Sequence, residues 1–392
     1  MNKISQRWRV VFGAVLVQLC IGGIYTWSLF NQSLADAHDW ETTQVYFAYS
    51  LIVFIFAFVT ILSGRLQDRY GPKNIATVGI VLFSLGYILT GTADTLLALY
   101  LSYSVLAGIG VGFVYVCPLS TCVKWFPNNK GFITGIVVGA FGLGGFLFNS
   151  LIQQLIESVG VSRAFFYLGV LYGVLGLIGA QQLRLPEKKD QGIAQPFSKE
   201  TEYSVKEMLQ TKTFYMIWTL YLIGTISGLM VIGLARDIGM ELVGLSGPVA
   251  AYGVATAALF NAVGRIFWGL LSDKIGRMRV ITTLFILTAA VMSGFSLFSS
   301  SVPVYFFSIA LIAFSFGGFL AVFPPLTSDF YGTHNLGANY GLVYQAYGLA
   351  ALVGPFILAN VGGFETAFTI AAILAGAGAI LSLGVKPPMK TE

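Results

Sequence analysis

Residues 64–73 read GRLQDRYGPK, and residues 269–277 read GLLSDKIGR. Glycine, acid, base and glycine return at one spacing: Gly64, Asp68, Arg69 and Gly71 in the first copy, Gly269, Asp273, Lys274 and Gly276 in the second. Each copy closes a long apolar run. A second set follows at nearly the same offset, because Pro118, Gly131, Gly135 and Gly142 are matched by Pro324, Gly337, Gly341 and Gly348. Two pairings in the same order imply a duplicated chain. The expected organisation is one half at 1–184, a polar linker at 185–211 and a second half at 212–392.

Composition sets the class. Of 392 residues, 56% are hydrophobic and only 10% are charged, and apolar runs of about 20 residues recur along the whole length. Lipid offers the backbone no hydrogen-bond partner, so such runs must be helices. The expected fold is an all-α membrane protein of twelve spans: 10–30, 44–66, 74–93, 96–119, 130–154, 163–183, 212–235, 248–270, 279–298, 302–325, 338–361 and 364–385. The first follows a basic start (Lys3, Arg7, Arg9), but no small-residue cleavage pattern follows its long run, so it reads as a retained helix.

Of the lysines and arginines, Arg163 and Arg236 fall in outer segments and Arg265 falls inside a span; every other one falls in an inner segment if both termini are cytoplasmic. That asymmetry predicts an inner (plasma) membrane protein with both ends in the cytoplasm. It also accounts for the net charge of +5, so no nucleic-acid partner is inferred. Cys20, Cys117 and Cys122 lie within or at the end of spans without metal or redox spacing, and His38 and His334 fall in loops on opposite sides. No metal and no cofactor is expected. Without a phosphate-binding loop, or a nucleophile, base and orienting group in a recognisable arrangement, the chain does not read as an ATPase or another enzyme, and no catalytic residue is assigned.

Arg265 is the one charge deep inside a span. A charge at that depth costs about 2.5–3.5 kcal/mol on insertion scales, which points to a function. Guanidinium keeps its charge and its planar fork suits a carboxylate, so the reading is an anion anchor. Asn261, four residues earlier, shares its face and would orient it or meet the substrate. In the eleventh span Tyr340, Tyr344 and Tyr347 share one face; Tyr340, near the span's start, reads as an interface anchor. Tyr115 stands three residues before Pro118 and Phe316 eight before Pro324. A buried tyrosine needs a partner for its hydroxyl, and a carboxylate provides one. The acids of the repeated loop would accept backbone N–H groups at a helix end, pair with a base across the half and so latch one state of a carrier whose halves rock.

With these residues on view, the chain resembles the major facilitator superfamily, and within it the oxalate/formate antiporter family and its monocarboxylate-transporter relatives. The resemblance spans nearly the full length. It rests on the repeated loop, on Gly23-Ile-Tyr25-Thr-Trp27-Ser28, on Lys124-Trp-Phe-Pro127 through Lys130-Gly131, on Asn261-Ala-Val-Gly264-Arg265 and on Asn339-Tyr340-Gly341-Leu-Val-Tyr344. It implies twelve helices in two six-helix halves. It also implies a close approach of the fifth span, with Gly131, Gly135, Gly139 and Gly142, to the eighth, with Gly253, Ala257 and Gly264. Where the antiporters carry a second cation in the eleventh span, this chain has Tyr347, which favours a monocarboxylate such as lactate, pyruvate or formate over oxalate. Where animal monocarboxylate transporters place an aspartate linked to proton coupling, it has Asn261.

The expected function is secondary transport of a small monocarboxylate, coupled to protons or to a counter-anion. The substrate pocket would include Arg265, Asn261, Tyr25, Tyr115, Phe316, Tyr344 and Tyr347. Uptake of a lone monoanion into a negative interior is opposed by about 2.3 kcal/mol per 100 mV, so a coupling ion is needed. The spans supply no buried carboxylate, which leaves the substrate itself, or the span-end acids Asp237 and Asp329, to carry a proton. Symport is preferred and exchange is the alternative. Besides substrate and coupling ion the partner is the lipid bilayer, and a monomer is expected. A passive channel would leave the duplicated loop idle, and a sensor would need a larger signalling domain than the linker offers.

Overall fold

The computed structural model describes residues 3–186, 202–298, 301–361 and 363–389. Lys188, Lys189, Lys199 and Lys390, with the linker between 187 and 201, lie outside them. Among the described residues every regular element is helical. In chain order these are α1 (Lys3–Ile21), α2 (Ser28–His38), α3 (Thr42–Tyr70), α4 (Pro72–Thr90), α5 (Leu96–Leu99), α6 (Gly108–Trp125), α7 (Lys130–Val159) and α8 (Val161–Ala180). After the linker come α9 (Val205–Leu209), α10 (Lys212–Gly233), α11 (Ala235–Glu241), α12 (Gly247–Ile275), α13 (Arg277–Phe298), α14 (Val302–Tyr331), α15 (Leu336–Asn360) and α16 (Phe364–Leu383). Eleven of the spans predicted from sequence coincide with stretches long and apolar enough to cross a membrane. The remaining one, 338–361, is matched by α15.

The first span is not one unbroken helix. A tight 3-10 turn at Gly22–Thr26 separates α1 from α2, because the backbone there is pressed between neighbours. A Cβ on Gly22 would overlap the Phe141 carbonyl, and one on Gly23 would stand 2.5 Å from the Tyr172 hydroxyl. The seventh span, predicted over 212–235, ends with α10 at Gly233, and the short α11 follows after Leu234. The fourth begins as α5, loosens into a π-helix at Tyr100–Ala107 and resumes as α6.

Both glycines of the repeated loop motif meet a local steric demand. Its closing glycine makes a one-residue corner between two helices: Gly71 has φ +86° and Gly276 φ +96°, a region that side chains disfavour. Its opening glycine admits a crossing helix, since a Cβ on Gly64 would overlap the Gly337 carbonyl and one on Gly269 the Gly131 carbonyl. The duplication extends to Thr121 and Thr327, each three residues past its repeated proline. Each hydroxyl donates to the carbonyl four residues earlier, at 2.6 and 2.8 Å.

The chain divides into two compact units, the first formed by Met1–Pro127, Ala140–Phe197 and Thr333–Gly348, the second by Asn128–Gly139, Ser198–Gly332 and Leu349–Glu392. The first unit thus includes the opening turns of α15, and the second those of α7. In the first, α4 packs on α6 and α8, and α3 on α6. Its aromatic core centres on Trp27, stacked on Tyr103 at 3.9 Å, and Phe30, stacked on Phe165 at 4.4 Å. In the second, α12 packs on α14 and α13 on α16 around Met292, Phe295, Tyr305 and Phe368. Lipid supplies little hydrophobic drive between helices, so close van der Waals contact at small residues holds these pairs. Gly79 illustrates this, with the Gly110 carbonyl 2.8 Å from where its Cβ would stand.

Candidate functional site

Arg265 is fully buried on α12, in the second unit. Its Nε donates to Asn261 Oδ1 at 2.7 Å, one turn earlier, and its Nη1 donates to the Val138 carbonyl of α7. Nη2 is buried and has no hydrogen-bond partner among the described residues. None of the ion pairs among the described residues includes Arg265. The guanidinium is thus oriented by two neutral oxygens, while its charge and one whole nitrogen remain uncompensated. A buried cation in this state is costly, and a bound anion would relieve the cost.

Three helices place it. Gly135 of α7 lies against the backbone of α12, where a Cβ would come within 2.5 Å of the Arg265 carbonyl oxygen. Gly264 of α12 lies under the Phe314 carbonyl of α14, and Gly317 of α14 under the Asn261 carbonyl. Phe316, next to Gly317, is buried and covers Gly228 of α10. The expected approach of the fifth span to the eighth is present, with different members. Gly131 and Gly135 face Gly269 and Arg265, whereas Gly139 has only an ordinary 3.7 Å contact with Ile266. Gly253 and Gly264 face Tyr305 and Phe314 of α14 instead. Helical spacing put all these glycines on one face, but a tilted crossing brings two backbones together over about two turns only.

The tyrosines gather in the first unit. Tyr25 and Tyr347 share a hydrogen bond between hydroxyls at 3.0 Å. Tyr347 stacks on Tyr344 at 5.0 Å, and Tyr344 lies 4.5 Å from Tyr115, ring centre to ring centre. Tyr340 belongs to the same stripe, 5.7 Å from Tyr344, and is buried rather than anchored at an interface. Phe56 and Phe141 complete the cluster: Phe56 lies 5.8 Å from Tyr344 and 6.2 Å from Tyr347, and Phe141 lies 5.0 Å from Tyr25 and 5.3 Å from Tyr115. Neither was legible beforehand, because a phenylalanine in an apolar run carries no polar signal. The Val138 carbonyl was equally hidden, being backbone. By the repeat, Thr60 matches Arg265, and its hydroxyl lies 3.2 Å from the Gly341 carbonyl. The cation is therefore a feature of the second half alone.

The two loop acids cap helices. Asp68 Oδ2 accepts from the Ala338 N–H at the start of α15, at 3.0 Å, within the first unit. Within the second, Asp273 accepts from the Gly131 and Phe132 N–H groups at the start of α7, at 2.9 and 2.8 Å. A helix N-terminus leaves its first N–H groups unbonded and carries partial positive charge, so a carboxylate from another helix satisfies both needs. Their nearest bases are not the ones adjacent to them in sequence. Lys124 stands 3.6 Å from Asp68, and Arg277 stands 2.6 Å from Asp273. Arg69 and Lys274 are exposed, Arg69 lying over the Tyr70 ring. Asp329 pairs with Lys130 at 2.8 Å and with Arg277 at 3.0 Å, which commits both its oxygens to this seam, while Asp237 is exposed on α11.

A model of the Major Facilitator Superfamily matches residues 10–236 and 213–392, nearly the whole chain. The chain belongs to this superfamily. It is 35% identical to an uncharacterised MFS-type transporter, YhjX, of Escherichia coli, over 90% of this chain and 87% of that one. It is 32% identical to the oxalate:formate antiporter of Oxalobacter formigenes, over 98% and 93%. The apicoplast pyruvate carrier 1 of Toxoplasma gondii is 27% identical over 88% and 81%. Among solved structures the MFS proton:xylose symporter XylE superposes with a TM-score of 0.78 at 14% identity, covering 97% of this chain and 95% of that one. The all-α fold in two homologous halves and the resemblance to oxalate/formate and monocarboxylate carriers are thus borne out. The protein is a multi-pass membrane transporter of a family that moves small substrates rather than converting them.

Proposed function

We propose that the protein carries a small monocarboxylate of the lactate and pyruvate class by alternating access, with Arg265 as the carboxylate anchor. The observation that carries this reading is a buried guanidinium whose Nη2 has no hydrogen-bond partner and which forms no ion pair among the described residues. Asn261 holds the fork. Tyr25, Tyr115, Phe316, Tyr344 and Tyr347 are the proposed further pocket residues, with hydroxyls rather than a second cation for the rest of the substrate. Asp68 and Asp273, with the glycines of their loops, act as latches. The halves at 1–184 and 212–392 work as a monomer in the inner membrane, with termini in the cytoplasm and a linker at 185–211. Likeness to a pyruvate carrier supports the substrate class.

Proton symport is the first reading of the coupling, the proton travelling with the substrate itself. Exchange of one carboxylate for another is the second, favoured by the 32% identity to an oxalate:formate antiporter. Uptake of labelled pyruvate and lactate into proteoliposomes tests both. Saturable uptake that an inward proton gradient stimulates, and that is lost in Arg265→Gln, establishes symport. Uptake that needs carboxylate preloaded inside establishes exchange. Absence of either flux refutes the monocarboxylate assignment and turns the search to oxalate and other anions.

A further inference from the structure

The capping acid of each loop must be held in one orientation to meet the helix beneath it, and the two halves do this with unlike chemistry. In the second, a guanidinium does it. Arg277 Nη1 lies 2.6 Å from Asp273 Oδ1 and 2.5 Å from Ser272 Oγ, in the slot that a Cβ on Gly131 would fill. By the repeat, Arg277 is matched by Pro72, which has no polar group to offer, and Ser272 by Gln67. Gly337 matches Gly131, and a Cβ there would run into Gln67 Nε2. The glycine slot is thus kept in both halves and filled by an N–H donor in both.

Gln67 is 2% exposed, and both ends of its amide are engaged. Nε2 donates to Asp68 Oδ1 at 2.9 Å, and Oε1 accepts from Ser120 Oγ at 2.9 Å. A carboxylate only accepts, so the amide nitrogen must face Asp68 and the oxygen must face Ser120. This leaves Asp68 Oδ2 aimed at the Ala338 N–H. Lys124, at 3.6 Å from the same Oδ1, is too far for a hydrogen bond of normal length and sets charge rather than direction.

We propose that Gln67 is a positioning residue for transport, orienting Asp68 onto the start of α15 as Arg277 orients Asp273 onto the start of α7. The proposal rests on reading Asp68 as a latch. It makes the orienting donor of the α3–α15 seam a neutral amide and that of the α7–α12 seam a guanidinium, while each acid also keeps a cation nearby.

The test uses the purified full chain. Deuterium uptake is followed in the peptide covering 336–344, which contains the Ala338 amide, alongside KM and turnover for labelled pyruvate in proteoliposomes. Gln67→Leu removes the donor and keeps the bulk. Its expected result is exchange about tenfold faster in that peptide, the worth of one hydrogen bond to a charged group, and slower turnover at unchanged KM. Asp68→Asn should do the same, and the double variant should be no worse than Asp68→Asn alone. Wild-type exchange in Gln67→Leu with fast exchange in Asp68→Asn overturns the role of Gln67 and leaves the latch standing. Wild-type exchange in Asp68→Asn removes the latch and the proposal together. Additive losses in the double variant show that Gln67 only packs, which also overturns it. Should Gln67→Leu fail to fold, Ser120→Ala frees the amide without touching the seam; a gain in exchange that disappears in the Asp68→Asn background is then expected, and its absence refutes the proposal.

Discussion

Replacing Arg265 with glutamine should abolish binding without harming the fold, and the structure gives the size of both effects. A guanidinium inside a span costs about 2.5–3.5 kcal/mol. Its bonds to Asn261 Oδ1 and the Val138 carbonyl, each made by a charged group, return about 1.5–3 kcal/mol apiece, enough to offset that cost. The empty protein can therefore hold the charge, and what stays unmet among the described residues is the buried Nη2. Glutamine removes the charge and keeps an amide for Asn261, so the thermal midpoint of the purified variant should be unchanged or slightly higher. Binding should behave oppositely, because deleting one partner of a desolvated ion pair costs about 2–5 kcal/mol, which is at least about 30-fold in Kd. Thermal unfolding with and without pyruvate, lactate or oxalate, followed by calorimetry on whichever anion stabilises the wild type, measures both. A midpoint several degrees lower together with unchanged affinity would refute the reasoning and make Arg265 a structural residue.

Gly135→Ala should slow transport sharply, because its Cβ would meet the rigid Arg265 carbonyl at 2.5 Å, whereas Gly139→Ala meets Ile266 at 3.7 Å and should be silent or raise stability by about 0.5–1 kcal/mol; uptake rates and thermal midpoints of the pair decide it. Asp273→Asn should slow turnover more than it weakens binding, and unlike wild type its rate should respond little to salt, since its ionic partner Arg277 has lost its carboxylate; equal losses in rate and affinity would count against a latch. Tyr25→Phe and Tyr347→Phe each break the one 3.0 Å hydroxyl contact between them, so each should raise KM several-fold and the double variant should add little; fully additive effects would show that the two hydroxyls act separately.

How much of this was legible in the chain varies with the range of the interaction. Spans, duplication and loop motif are local or periodic properties, readable because lipid forbids any backbone but a helix and because each motif glycine answers a nearby steric demand at Gly71 or Gly276. Arg265 stood out since a charge in an apolar run has no cheap explanation, and Asn261 followed from one helical turn. The break at Gly22–Thr26 is not legible, for the neighbours that press on it are Phe141 and Tyr172, more than a hundred positions away. The acids of the loops stand out by their repetition, but which helix start and which base each one meets, Lys124 for Asp68 and Arg277 for Asp273, depends on the packing.

By itself the sequence determined a duplicated all-helical membrane transporter with one buried cation, because hydrophobicity, spacing and charge are carried by residues one at a time. Only the tertiary structure decided that the Val138 carbonyl joins Asn261 in orienting that cation, that Phe56 and Phe141 join the tyrosines, and that Asp68 and Asp273 meet the starts of α15 and α7. Those outcomes depend on crossing helices placing residues more than a hundred positions apart within a few ångströms, and no local pattern encodes the angle at which two helices cross.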